Sequence, residues 1–432
     1  MIRHAIPLAA LLLAGTACSA QERNHFPASQ GMKDEGPKQP GVASGQGGPQ
    51  GPQVAGSDRP VPQNAPAEPG IRNVPATTGR ANITPAQPPF AIKEIGRFDA
   101  PFAMALVPPG GLLVTEKAGH LKLRYAAGSV VDVAGVPRVA QGGQGGLLGV
   151  AVAPDFATSH AIYLSYAEPR PNGSSLALAR ATLVLGQSEA RLDGLRVIWR
   201  AGSDGPGGQF GAKIAFAPDG RSLFLTSGER QRFTPAQDPN QLLGKIFHLT
   251  LDGKAAPGNP FAKEGGYRAE IWTSGHRNPY GLVFTPDGRL WEEEMGPKGG
   301  DELNLIEAGK NYGWPIVSNG DNYSGQPIPD QPSRPDFAAP KLWWNPSISP
   351  GGMIYYSGAM FPQLKGSLLI GALSGQGLAH VTLDGATARP ADFWDMGTRI
   401  RDVVQAPDGA IWLLEDGGRA AKGRLLRLTP KS

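Results

Sequence analysis

One phrase recurs along this chain and limits its fold more than any other feature: an apolar run, then Pro-Asp-Gly or a relative, then a second apolar run. It stands as VPPGGLLV around Pro109, APDF at Pro154, APDGRSLFLT at Pro218, TPDGRLW at Pro286 and APDGAIWLL at Pro407, with a looser version, MIYYSGAMFPQLKGSLLIG, from Met353. Pro presets the first central position of a turn, and Asp and Gly accept the others, so each phrase predicts a β-hairpin. The interval, roughly 45 to 70 residues, suits repeated four-stranded units around a central channel. The predicted fold over residues 89–432 is therefore all-β, a six-bladed propeller with four-stranded antiparallel blades. A β-sandwich repeat or a solenoid would carry similar punctuation, whereas the lack of sustained helical periodicity argues against a parallel α/β fold.

The segment before the repeats reads differently. Residues 1–20, MIRHAIPLAALLLAGTACSA, combine a basic start, an apolar run from Ala5 to Ala14 and small residues after it, as an export signal does. Cys18 is the single cysteine, which rules out an intramolecular disulfide. It lies where a bacterial lipoprotein is cleaved and acylated, although Gly15 stands where Leu is usual; cleavage after Ala17 or Ala20 is the alternative. Between Gly36 and Gly70, 16 of 35 residues are Gly or Pro, too few large apolar groups to offset the ordering entropy. Residues 21–88 are accordingly predicted to be a disordered spacer. The expected location is the periplasm, either free or lipid-anchored at Cys18, which is the only membrane association expected. With a net charge of +4 spread along 432 residues, nucleic acid is not an expected partner.

Polar clusters between the hairpins are the places to seek chemistry, because loops of a rigid β scaffold carry function. The densest is Gly275–Pro315. There Arg277 and Asn278, set between Gly-His and Pro, are expected to aim donors outward at a carboxylate. Gly296-Pro297 turns the backbone just before Asp301-Glu302, a set of oxygens that calcium prefers. Gln144 sits among glycines in GGQGGLLGV, either as a ligand donor or as an incidental amide in a blade connection. Arg399 and Arg401 are two apart on an extended strand, so both point to one face and repel unless an anion lies between them. Ser347 offers a hydroxyl in an aromatic-rich turn. Gln209 and Lys213 lead into the Pro218 hairpin and resemble neither a nucleophile nor a base. The absence of a close His-His pair argues against zinc.

Taken in order, GQGGLLG (143–149), AQDPNQLLGKI (236–246), GHRNPYGL (275–282), GPKGGDELN (296–304), NYGWP (311–315) and RIRDV (399–403) resemble the soluble quinoprotein sugar dehydrogenases. This is the glucose/sorbosone dehydrogenase family, aldose sugar dehydrogenase type, which uses pyrroloquinoline quinone (PQQ). The resemblance covers roughly residues 90–430 and implies a six-bladed propeller that oxidises aldoses at the anomeric carbon by hydride transfer to the quinone. It implies that Gln144, Arg277, Asn278, Ser347, Arg399 and Arg401 contact PQQ. It also implies that the carbonyls of Gly296 and Pro297 hold a calcium ion that polarises the quinone, with Glu302 and the Tyr312 carbonyl at a second, structural calcium. A sugar substrate and an electron acceptor, a quinone or a cytochrome, are the implied partners.

The chain departs from the family pattern at the catalytic base. Family members carry His-Phe-Gly-Gly-Arg or a variant where this chain has Gln209-Phe210-Gly211-Ala212-Lys213. An amide orients a hydroxyl but cannot take its proton. Near Leu373-Ser374-Gly375, Ser374 stands where a lysine often assists the quinone. Three readings follow: a dehydrogenase with a relocated base, Glu229 or a bound water; a quinone- or sugar-binding propeller without turnover; or a calcium-propeller lactonase.

Overall fold

The computed structural model describes residues 85–417 and 422–431. The export signal, Cys18 and the spacer up to residue 84 lie outside the described residues. Strand β1 (Pro85–Ala86) and β2 (Phe90–Asp99) come first. Six antiparallel runs of four would use β2 last, so the rest follow in chain order. They are β3 (Pro101–Val107), β4 (Gly111–Glu116), β5 (His120–Arg124) and β6 (Val130–Ala134); then β7 (Leu147–Val152), β8 (Ala161–Arg170), β9 (Gly173–Leu185) and β10 (Ala190–Arg200). Next come β11 (Gly211–Phe216), β12 (Ser222–Ser227), β13 (Lys245–Thr250) and β14 (Ile271–Ser274), then β15 (Pro279–Phe284), β16 (Leu290–Glu294), β17 (Asp301–Ile306) and β18 (Leu342–Trp344). The last are β19 (Pro350–Tyr356), β20 (Ser367–Ala372), β21 (Gly377–Asp384), β22 (Thr387–Asp395), β23 (Ile400–Gln405), β24 (Ile411–Glu415) and β25 (Lys422–Pro430).

The sheets are four-stranded and antiparallel in the orders β11-β12-β13-β14, β15-β16-β17-β18 and β2-β25-β24-β23, an arrangement consistent with a β-propeller. Two qualifications apply. The first eight strands after β2 form one mixed sheet, because a short parallel pairing of β6 with β10 (Val133 with Ala190) joins β3–β6 to β7–β10. The sheet β19–β22 gains β1 as a fifth strand, parallel to β22 through Pro85 with Phe393. Pro85 and Ala86, inside the expected 21–88 spacer, are thus paired chain. In the last sheet the N-terminal β2 pairs with the C-terminal β25 from Phe90–Pro430 to Asp99–Lys422, which ties the two ends together and hides an edge.

Every recurring phrase joins an antiparallel pair: β3–β4, β7–β8, β11–β12, β15–β16, β19–β20 and β23–β24. In the phrases at Pro218, Pro286 and Pro407, the Gly N–H donates to the carbonyl of the residue before Pro at 2.9 Å. Gly220, Gly288 and Gly409 have φ of +69, +83 and +86°, a region that a Cβ disfavours. Asp219 and Asp408 accept from the N–H two residues on, at 3.0 Å each. The Pro154 phrase is not a tight turn: it opens a single helical turn, α1 (Phe156–Ser159), before β8.

Consecutive first strands touch in sequence, β3 with β7, β7 with β11, β11 with β15, β15 with β19, β19 with β23, and β23 with β3. Hydroxyls of second strands stitch them together. Thr115 accepts the Ala103 N–H (3.0 Å) and donates to the Leu148 carbonyl (2.6 Å); Ser165 accepts from Gly149 (3.0 Å) and donates to Ala212 (2.5 Å); Thr226 accepts from Lys213 (2.9 Å) and donates to Pro279 (2.9 Å). The next equivalent position, opposite Gly281, is Glu293. The second strands β4, β12 and β20 are buried almost throughout, whereas the outer β22 is mostly exposed, so the apolar weight lies toward the inside of the ring.

Candidate functional site

Each first strand is irregular near its start, with a register shift between Pro101 and Ala103, Leu147 and Val150, Gly211 and Ile214, Pro279 and Gly281, Pro350 and Met353, and Ile400 and Asp402. A bulge re-aims a side chain. Here the displaced residues line one small cavity of about 20 Å³, room for roughly one water, walled by Phe102, Gly149, Ala212, Tyr280, Gly351 and Arg401. Phe102 and Tyr280 meet edge to face at 5.6 Å, and the Arg401 guanidinium lies 5.1 and 5.8 Å from their ring centres.

Gln144 and Gln209 meet beside Tyr280. The Gln144 Oε1 accepts the Gln209 backbone N–H at 2.6 Å and the Tyr280 hydroxyl at 3.5 Å. The Gln209 Oε1 in turn accepts the Gln231 N–H at 3.1 Å, and the side chain is buried. Gln209, Arg230, Gln231 and Phe233 all have φ between 53 and 62°. Such a run of left-handed non-glycine residues costs backbone energy and tends to collect at functional sites. Glu229, the candidate relocated base, is buried at the head of this loop. Its Oε2 accepts the Arg232 and Phe233 N–H groups at 2.5 Å each. Burial pushes its carboxyl pKa up, against the Arg277 charge and these N–H groups.

Arg277 and Asn278 are both buried. Their N–H groups are held by Glu294 Oε2 (2.5 and 3.2 Å). The Arg277 Nη1 donates to the carbonyls of Met295 (3.0 Å) and Gly296 (2.6 Å), and its guanidinium lies 5.3 Å from the Trp314 ring and 5.9 Å from that of the exposed Tyr323. Its Nε is buried without a partner. The Asn278 Oδ1 accepts the Gly211 N–H at 3.2 Å, which ties this segment to the Gln209 loop. Both Asp301 oxygens accept hydrogen bonds from the chain itself. Its Oδ1 takes the Gly296 N–H (2.8 Å), and its Oδ2 takes the Ser347 hydroxyl and the N–H groups of Ile348 and Ser349, each at 2.7 Å. Ser347 is thereby committed to Asp301, and Ser374 donates to the Ser347 carbonyl (3.1 Å) and to Ser349 Oγ (2.8 Å).

The anion expected between Arg399 and Arg401 belongs to the chain itself. Asp416 receives Arg401 Nε (2.9 Å) and Nη2 (2.6 Å) on Oδ1 and Arg399 Nε (3.0 Å) on Oδ2. Burial works against its charge, yet Arg401 and the hydrogen bonds from both guanidiniums hold its carboxyl below the usual range. Arg401 and Asp416 are nearly buried, whereas the Arg399 side chain is 43% exposed.

Glu302 and Tyr312 are not brought onto one another directly. Glu302 faces Glu292 and Glu294 around the Asn304 amide, which donates at 3.2, 3.1 and 3.5 Å. The Tyr312 carbonyl instead accepts from Gln331 (3.1 Å), and the Tyr312 ring stacks on His276. Burial, then the charge of Glu294, push the Glu292 and Glu302 carboxyls well up. The His276, Glu292 and Glu294 ligand atoms lie within 4.8 Å of one another.

This donor set fits an anionic ligand beside a cation. Two carbonyls, those of Met295 and Gly296, already converge on a positive group. The unpartnered Arg277 Nε and half-exposed Arg399 retain capacity for an anion, and the crowded carboxylates around Asn304 would be relieved by a cation. Asp416 and Tyr280 escaped the sequence reading. Asp416 sits in Glu-Asp-Gly-Gly and reads as turn punctuation, and Tyr280 reads as a core aromatic.

Comparisons with known proteins relate the chain to sugar dehydrogenases. The family model for glucose / sorbosone dehydrogenase matches residues 98–427. The aldose sugar dehydrogenase YliI of Escherichia coli (strain K12) is 38% identical over 347 residues, spanning 78% of this chain and 91% of that protein. The apo crystal structure of the soluble E. coli aldose sugar dehydrogenase superposes with a TM-score of 0.73 at 36% identity, covering 79% of this chain and all of that one. The PQQ-bound aldose sugar dehydrogenase of Streptomyces coelicolor gives 0.66 at 29% identity over 80% of this chain and all of that one.

Proposed function

The chain belongs to the glucose/sorbosone dehydrogenase family, and from that premise we propose that it is a six-bladed, calcium-dependent PQQ oxidoreductase that oxidises aldoses at the anomeric carbon. The carrying observation is that Gln144, Gln209, Arg277, Asn278, Gly296, Ser347 and Arg401, from stretches far apart in sequence, join in one connected set of contacts around Tyr280 and Asp301. The six hairpin phrases and the cyclic contact of first strands support the blade count.

When bound, PQQ would supply a two-electron hydride acceptor for the sugar, and calcium would supply Lewis-acid polarisation. Arg399, Arg401 and Arg277 bind carboxylates of the cofactor, and Gln144 and Asn278 orient its polar edge. The Gly296 and Pro297 carbonyls would hold a calcium ion, with Arg277 ceding the Gly296 carbonyl; a second, structural ion at Glu302 would need Gln331 to cede the Tyr312 carbonyl. The Gln209 amide orients the anomeric hydroxyl but does not take its proton. That proton passes to Glu229, whose raised pKa brings it closer to the operating pH of a general base. The leader supports a periplasmic location, free or anchored at Cys18, with a quinone or cytochrome as electron acceptor.

The test is reconstitution of purified protein with PQQ and calcium, followed by dye reduction with a panel of aldoses. Sugar-dependent reduction is expected. Cofactor binding with no turnover on any aldose would leave a binding propeller in place of an enzyme.

A further inference from the structure

Lys117 follows β4 and has no role in the arrangement above. Its backbone sits at the junction of two parts of the site. Its N–H donates to the Ala100 carbonyl (3.1 Å), and its own carbonyl accepts the Leu147 N–H (3.3 Å). Gly146 approaches so closely that a Cβ there would lie 2.1 Å from the Lys117 carbonyl, so the Gln144 turn is packed directly on this residue. On the other side, β3, which Ala100 precedes, packs against β23, the strand of Arg401.

The side chain is partly buried. Among the described residues its ammonium has no hydrogen bond or ion pair within reach, and the charged groups facing it are Asp416, Arg401 and Arg399. Burial lowers its pKa; Asp416 opposes that and the two guanidiniums reinforce it. Both Asp416 oxygens are already engaged by the arginines. Three cations therefore share one carboxylate, a local excess of positive charge that further negative charge would relieve. Ser374 adds no cation, and its hydroxyl is spent on Ser347 and Ser349.

We propose that Lys117 is a binding residue for a carboxylate of the quinone cofactor, acting beside Arg399 and Arg401 as a further cation of the anchor. This rests on the quinoprotein reading above. It gives a role to a partly buried lysine whose backbone is packed against the Gln144 turn.

The test is a titration of apoprotein with PQQ at fixed calcium, followed by cofactor absorbance, for wild type, Lys117→Met and Lys117→Arg, with thermal melts of the unliganded proteins. Loss of one charge-assisted hydrogen bond predicts binding weakened about 10-fold or more in Lys117→Met, with a shallower salt dependence and an apoprotein melt no lower than wild type. Lys117→Arg should stay within about 3-fold of wild type, a rescue that a packing role would not give. Should Lys117→Met fail to fold, Lys117→Gln carries the same comparison. Equal affinity of wild type and the neutral variant overturns the assignment. No saturable binding by wild type overturns the quinoprotein reading itself.

Discussion

Asp416 is the point at which Arg399 and Arg401 depend on the fold. Replacing Arg401 by Met leaves a carboxylate that is 9% exposed without the partner that supplies two of its three hydrogen bonds. Removing one member of a buried ion pair costs about 3–5 kcal/mol, because the other charge stays buried and unpaired. Arg399→Met removes a partner that is 43% exposed, so its cost should stay near that of a surface pair, about 0.2–1 kcal/mol. Asp416→Asn should resemble Arg401→Met, since it strands Arg401 against the Phe102 and Tyr280 rings. Urea denaturation of the apoproteins followed by tryptophan fluorescence gives the comparison. Because the folded pKa of Asp416 is depressed, its contribution is present above the unfolded carboxyl value of about 3.9 and is lost as pH falls through the folded value. The stability gap between wild type and Asp416→Asn should close in acid. A cost for Arg399→Met equal to that for Arg401→Met, or a gap that persists at low pH, would refute the reasoning.

Glu293 takes the place that Thr115, Ser165 and Thr226 occupy elsewhere. It is fully buried with neither carboxylate oxygen partnered, and burial drives its pKa well up against the Lys213 charge. Glu293→Thr should therefore stabilise by about 1–3 kcal/mol at neutral pH. A raised pKa costs stability as pH climbs above the unfolded value of about 4.3, so the gain should shrink toward pH 4; a destabilised variant at pH 8 would contradict this. Glu229→Gln should lower turnover on aldoses by about 10²- to 10⁴-fold, read as kcat in dye reduction; unchanged turnover would place the base elsewhere. Stripping calcium with a chelator should lower the melting temperature and abolish cofactor binding, and added calcium should restore both; a chelator-insensitive melt and titration would remove calcium from the site.

The hairpin phrases made the architecture legible because a turn is a local event: Gly220, Gly288 and Gly409 need positive φ whatever surrounds them. The strand pairing of β6 with β10 and the pairing of β1 had no local marker. At the site, the residues that match the family pattern could be picked out, but the partners they have in the fold could not. Asp416 reaches the arginines across a hairpin, and Asp301 reaches Ser347 over 46 residues, so neither contact leaves a spacing to read. Glu293 illustrates the same limit. Glu-Glu-Glu looks like a solvated run, yet strand alternation sends Glu292 and Glu294 to one buried face and Glu293 to the other.

The most direct test of the central claim is a calcium-dependent titration of the wild-type apoprotein with PQQ. The account predicts saturable binding of one quinone per chain at micromolar concentration or below, weakened in Arg401→Met and lost on chelation. Absence of saturable binding at micromolar quinone with calcium present would contradict it.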